Sequence, residues 1–199
     1  MPEDRSTAME SLAERVRNLK QSPLYEFRIK NKYKAVIGEG DLHARIMFIG
    51  EAPGLQEAKS GRPFVGASGR FLNELLASIG IDRQDVYITN IVKDRPPENR
   101  DPTVDEIALY APILEEQIAL IHPEVIATLG RFSMDFILKL FNLPQLGEKI
   151  SRLHGKLLEV EAPFGKVFVL PLFHPAVALY NLNQRQTLLD DIKQLKPFV

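Results

Sequence analysis

The segment Gly50-Glu51-Ala52-Pro53-Gly54 sets one carboxylate between glycines directly after the apolar stretch Ile46-Met47-Phe48-Ile49, and Gly61-Arg62-Pro63-Phe64-Val65-Gly66 follows a few residues later. Such an apolar run reads as a buried strand that ends in a rigid loop. An acid at the strand end and an aromatic held between Pro63 and Gly66 place a charge and a flat stacking surface at one mouth. That combination suits chemistry on a planar ring. Two more strand ends carry polar groups: Asn90 follows Val86-Tyr87-Ile88-Thr89, and His174 follows the run that ends at Leu170.

The elements behind these residues follow from periodicity. Apolar runs at Ile46–Ile49, Val86–Ile88, Val125–Leu129 and Val167–Leu170 alternate with helical patterns at Gly69–Ile79, Val104–Ile121 and Phe132–Phe141. Strand-helix alternation predicts an α/β fold of three layers, with a central, mostly parallel four-stranded sheet flanked by helices. Thr103 and Glu106 form a capping-box pattern after Pro102, so a helix starts near Thr103. Met9, Leu12, Val16 and Leu19 predict an amphipathic helix over Thr7–Lys20 that ends near Pro23. Tyr25–Asp41 reads as a loop or short strand, and Lys93–Pro102 as a charged surface loop. No internal repeat or low-complexity linker divides the chain, so residues 1–199 are expected to form a single domain, with 1–40 packing on the core as helix and loop. In open parallel sheets the ligand crevice lies at the carboxyl ends of the strands, where Glu51, Asn90 and His174 all fall.

Composition excludes several classes. The 199 residues are 45% hydrophobic, enough for one sizeable core, and carry a formal net charge of −1, which argues against a general coat for nucleic acid. A local basic face can still grip phosphates. No stretch is apolar enough for a membrane helix, and Met1-Pro2-Glu3-Asp4-Arg5-Ser6 lacks the apolar core of a secretion signal; a cytoplasmic or nucleoid-associated protein without membrane contact is expected. The chain has no cysteine, which removes disulfides, thiolate catalysis and Cys-ligated metal. His43, His122 and His154 have no companions at metal-ligand spacing and read as structural or exposed, so no metal site is expected.

Taken together, Gly50–Gly54, Gly61–Gly66, Asn90-Ile91-Val92-Lys93 with Arg95-Pro96-Pro97, and Phe173-His174-Pro175-Ala176 resemble, in order and spacing, the motifs of family 4 uracil-DNA glycosylases. The likeness runs from about Gly38 to the C-terminal helix. It implies a uracil-DNA glycosylase-like fold and hydrolysis of the N-glycosidic bond of a flipped-out deoxyuridine, leaving an abasic site for base excision repair. Glu51 then orients water and stabilises the positive sugar, unless it only caps loop amides. His174 donates to the uracil O2 as the base leaves, unless it is simply packed at a strand end. Asn90 matches the N3–H and O4 edge of uracil, although asparagine is common in turns after strands. Phe64 stacks on the base or belongs to the core, Ala52 lies at the base, and Glu57 matches an acidic position near the water. Leu179 and Tyr180 resemble a wedge that fills the hole left by the flipped base, or else the start of a buried helix. Gly66 and Ser68 at a helix start, with Arg95, Arg100, Arg152 and Lys156, are candidates for phosphate contact. Gly54 stands where well-known uracil glycosylases carry a tyrosine against the thymine methyl group.

One departure is marked. Members of the family usually hold a four-iron cluster on four cysteines, and the corresponding places here are Leu19, Ser22, Asp94 and Tyr110. No iron and no other cofactor is therefore expected, with Leu19 and Tyr110 acting as apolar packing substitutes between the N-terminal helix and the helix of Val104–Ile121. The expected partner is uracil-containing DNA and the expected state a monomer. The alternative is a catalytically weak protein of the same fold that binds uracil-containing or single-stranded DNA; a weaker third is action on a free nucleotide.

Overall fold

The computed structural model describes residues 4–199; Met1, Pro2 and Glu3, which belong to the charged start and to the 1–40 segment, lie outside the described residues. In chain order the elements are α1 (Arg5–Arg17), α2 (Pro23–Lys30), β1 (Glu39–Gly40), β2 (Ile46–Gly50), α3 (Leu55–Ser60), α4 (Ala67–Ser78), β3 (Tyr87–Asn90), α5 (Val104–Ile121), β4 (Val125–Leu129), α6 (Arg131–Leu140), α7 (Ile150–Leu153), β5 (Leu158–Ala162), β6 (Gly165–Leu172) and α8 (Leu182–Asp191). Short 3₁₀ turns at Arg83–Asp85, Pro97–Asn99, Pro175–Leu179 and Ile192–Phe198 complete them.

The strands lie in the order β1-β3-β2-β4-β6-β5. The four expected strands, β3, β2, β4 and β6, form the parallel centre. Two antiparallel edges extend it to six. β1 is two residues long, too short for any periodicity, whereas Leu158-Glu159-Val160-Glu161-Ala162 carried a clear alternation that the reading of four strands omitted. The central strands are buried on both faces, and so read as unbroken apolar runs. Met47, Ile49, Ile126 and Val169 point into one core beneath α1, α5 and α6, while Ile46, Phe48, Ala127 and Leu170 enter the other beneath α4 and α8. The result is three layers. The capping box at Thr103 and Glu106 is formed in both directions. Among the described residues, no helix is long and apolar enough to cross a membrane.

Two segments differ from expectation. The stretch read as loop after Tyr25 begins inside a second helix, α2, which Ser22 caps and Pro23 starts; the first helix ends at Arg17. Pro at the first helical position favours a start, and the pattern was taken for a stop. The segment from Lys93 does not open as surface loop: Lys93 and Asp94 are wholly buried. The Lys93 ammonium donates to Thr89 Oγ1 (2.7 Å), the Asn90 carbonyl (2.6 Å) and Gln117 Oε1 (2.6 Å).

Asp94, Ser22 and Tyr110, three of the four places that the resemblance assigns to cysteine, meet in one network. Tyr110 Oη donates to Asp94 Oδ2 at 2.7 Å and lies 3.0 Å from Ser22 Oγ, while Arg28 Nη1 donates to Asp94 Oδ1 at 2.9 Å. Arg28 also donates to the Val16 and Arg17 carbonyls at the end of α1. Tyr110 is more than an apolar substitute: its ring belongs to the core, and its hydroxyl joins a buried network that ties α1, α2, α5 and the segment after β3. Leu19 packs against the same core. Burial raises the Asp94 carboxyl against the opposing Tyr110 hydrogen bond and Arg28 charge. These residues do not fit an iron–sulfur cluster, because no thiolate is present and the oxygen donors are committed to one another and to Arg28.

Candidate active site

The connection from β2 runs outward to β3 and that from β4 to β6 on the opposite side, so the crevice opens at the carboxyl ends of the adjacent β2 and β4. A cavity of about 410 Å³ lies there. Glu51, Ala52, Glu57, Phe64, Ser68, Asn90 and His174 all line it, together with Asp101 and Arg100 from the segment before α5. The three strand tips thus converge.

Backbone pairing sets their spacing. Gly50 and Asn90 are partners in the β2–β3 ladder, and the loop stays paired beyond it through Val92 N–H to the Glu51 carbonyl at 3.0 Å. A side chain at position 50 would run into Asn90 Oδ1 and the Phe64 ring, so the glycine lets the Asn90 amide and the aromatic approach one another. Asn90 is 2% exposed, and its Oδ1 is buried without a hydrogen-bond partner among the described residues. A buried acceptor with no partner in the chain is free to take a donor from a ligand in the cavity. Phe64 closes the opposite wall, 5.9 Å from the His174 ring centre.

His174 ends the coil after β6 and caps the following turn. The Ala176 N–H donates to its Nδ1 at 3.2 Å, and burial lowers the imidazole to about 4, only weakly opposed by the charge of Glu57. A neutral ring whose Nδ1 accepts carries its proton on Nε2. Glu51 is pushed the other way. Burial raises its carboxyl to about 7; the Asp101 charge adds to the rise and Arg131 opposes it. Asp101 and Arg131 form an exposed ion pair at 3.0 Å. Two titratable groups in one cavity whose ordinary values lie two units apart are thus driven to opposite extremes.

Glu57 has a different commitment. Its Oε1 accepts the Val65 and Gly66 amides at 2.9 and 2.8 Å, clamping the loop that carries Phe64. Its Oε2 faces Gly54, at 2.7 Å from where a Cβ would stand.

The outer candidates are spread around the mouth. Leu179 and Tyr180 are exposed, at 38% and 91%, beside the buried Ala178 of the turn after His174. Arg95 donates to Asn99 Oδ1 and to Tyr33 Oη, and Arg100 pairs with Glu106 in two hydrogen bonds, so both are engaged within the chain. Arg152 and Lys156 are exposed away from the cavity lining. His43 lies against Arg5, His122 stacks on Phe164, and His154 pairs with Asp191. Sequence reasoning missed Asp101 and Arg131 as neighbours of Glu51. Arg131 follows a strand end and was open to the same rule as Glu51; Asp101, inside an irregular segment, carried no local signal. A larger groove of about 1200 Å³ lies between α5 and α6, walled by Ile107, Phe132, Phe136 and Leu140, with Glu115, Arg131, Asp135 and Lys139 also in its lining.

Residues 37–195 match the family model of the uracil DNA glycosylase superfamily. The chain is 46% identical over 187 residues to a type-4 uracil-DNA glycosylase of Archaeoglobus fulgidus, an alignment spanning 94% of this chain and 92% of that protein. It is 41% identical over 197 residues to that of Thermotoga maritima, spanning 98% and 96%. It is also 34% identical over 163 residues to a DNA polymerase of Bacillus phage SP01, of which those residues span 16%.

Proposed function

The chain belongs to the uracil-DNA glycosylase superfamily, and from that premise we propose that it hydrolyses the N-glycosidic bond of deoxyuridine in DNA, releasing uracil and leaving an abasic site. The observation that carries this reading is the unpartnered Asn90 Oδ1, buried inside a cavity that also holds an aromatic face, a neutral imidazole and a carboxylate of raised pKa.

The chemistry follows from where charge develops. As C1′–N1 breaks, both bonding electrons leave with the base and the sugar becomes cationic. Glu51, as a carboxylate, stabilises that sugar, orients the water that adds to C1′ and accepts the proton which that water loses. His174 meets the other charge: a neutral Nε2–H donates to the uracil O2 as it becomes anionic, and the Ala176 amide keeps the ring in that tautomer. Asn90 Oδ1 accepts the uracil N3–H while its Nδ2 donates to O4; cytosine presents the reversed edge and leaves both groups unpaired. Phe64 stacks on the ring and keeps water from the base side. Glu57 supports this wall through the loop amides, with Oε2 beside the base edge. Exposed Leu179 and Tyr180 enter the stack vacated by the flipped nucleotide. The proposed acting unit is the monomer. The buried Asp94 network supports a site that works without iron.

The test is a gel assay on uracil-containing single- and double-stranded DNA, followed by alkali. Strand scission at the uracil is expected. Retained DNA binding without any abasic product at high enzyme would replace the enzyme reading with that of a binding protein.

A further inference from the structure

Resting on the proposed role of Phe64 as the stacking face, we infer that Arg83 is a positioning residue for the reaction, holding that face in place from outside the cavity. Phe64 has φ 49°, in the left-handed region that a bulky aromatic residue occupies only when its surroundings impose it. This turn of the backbone throws the Phe64 carbonyl toward α4, where a side chain at position 69 would collide with it; Gly69 leaves the space open. Arg83 fills the remaining requirement. Its Nη1 donates to the Phe64 carbonyl at 3.1 Å and its Nη2 to the Pro63 carbonyl at 2.6 Å.

The guanidinium is itself fixed. Nη1 also donates to Asn73 Oδ1 of α4 at 3.0 Å, and Nε donates to Glu39 Oε1 of β1 at 3.1 Å. Glu39 is held below its ordinary carboxylate range, first by its hydrogen bond from Arg62 and, after an opposing contribution from burial, by Arg83. The Arg83 side chain is 18% exposed, against 62% for Arg62, so Arg83 is the more buried of the two arginines that pair with Glu39. Glu57 grips the same loop from its amide side, at Val65 and Gly66. Four consecutive residues are thus held by one cation on two carbonyls and one anion on two amides. A planar guanidinium with donors in a fixed fork can take two adjacent carbonyls and still reach two side chains; an ammonium cannot. Arg83 does not line the cavity, so its influence on the base runs through the Phe64 backbone.

The test compares single-turnover excision of uracil by the full chain, Phe64→Leu, Arg83→Met and the double variant, each at a temperature where its melt shows it folded. Loss of one base–aromatic stack is expected to lower the rate at subsaturating enzyme by about ten- to a hundredfold for Phe64→Leu, and by about tenfold for Arg83→Met. The double variant is expected to fall no lower than Phe64→Leu, within about twofold. Multiplying losses, or an Arg83→Met rate within about twofold of the parent, overturn the assignment. Should Arg83→Met fail to fold, Arg83→Lys takes its place, with the same outcomes.

A second readout separates this inference from the functional reading. The chain has no tryptophan, so Phe64→Trp reports on the platform alone. Adding Arg83→Met in that background is expected to raise acrylamide quenching about twofold or more, as the ring gains solvent access. Unchanged quenching overturns the clamp. No uracil release by the parent chain would overturn the functional reading, and the quenching result would still decide the clamp.

Discussion

In the proposed reaction Glu51 must be ionised to stabilise a cationic sugar, and its burial sets the pH at which that happens. With a carboxyl at about 7, the ionised fraction is about one-eleventh at pH 6 and about ten-elevenths at pH 8, so the rate of the chemical step should rise about tenfold over that interval. DNA phosphates act in the same direction as Asp101, which places the limb in the complex at or above this value. His174, at about 4, stays neutral and adds no limb between pH 5 and 9. The assay is rapid-quench single turnover with saturating enzyme at constant ionic strength. Asp101→Asn should move the limb to lower pH and Arg131→Met to higher pH, because these charges respectively raise and lower the carboxyl. The same group leaves a mark on stability. Its folded value lies above the ordinary 4.5, so the fold favours the protonated form and the ionised form costs stability as pH rises through 7. The rise corresponds to at most about 3 kcal/mol, and solvent around a half-buried carboxyl reduces this to about 1–2 kcal/mol. Glu51→Gln should therefore be inactive yet more stable than the parent above pH 8, with the difference gone below the ordinary carboxylate range. A rate independent of pH between 6 and 8, or a wild-type rate for Glu51→Gln, would refute the reasoning.

Three further outcomes follow from particular contacts. Arg28→Met leaves Asp94 buried without its counter-charge and should cost about 3–5 kcal/mol in denaturant unfolding, with part of the loss recovered when Asp94→Asn is added. Asn90→Asp replaces the donor proposed to meet O4 with an acceptor and should lower uracil excision by about a hundredfold or more on the alkali gel, the scale set by leaving buried polar groups unpaired. Leu179→Ala with Tyr180→Ala should slow excision from duplex DNA by about tenfold or more while sparing single strands, which need no wedge; an equal loss on both would remove these residues from that role.

The parallel centre of the sheet and its site were readable because strands buried on both faces leave unbroken apolar runs, and the residue after such a run sits at the crevice by topology. Glu51, Asn90 and His174 were found on that ground and do share one cavity. What local patterns could not convey depended on distant partners. The burial of Lys93 and Asp94 is set by Gln117, Tyr110 and Arg28, which lie up to 66 residues away. In sequence the pair looks like solvated charge. Pro23 marks both a helix stop and a helix start, and only Ser22 before it, capping Leu24 N–H, tells them apart. The left-handed turn at Phe64 left one trace in the sequence, Gly69, whose meaning is visible only when the Phe64 carbonyl is seen against it.

The most direct test is a crystal structure of Glu51→Gln bound to DNA containing one deoxyuridine. The uracil should lie in the cavity at the strand tips, its ring against Phe64, its N3 and O4 edge on Asn90 and its O2 toward His174. A uracil still stacked in the helix, or seated in the groove between α5 and α6, would contradict the account.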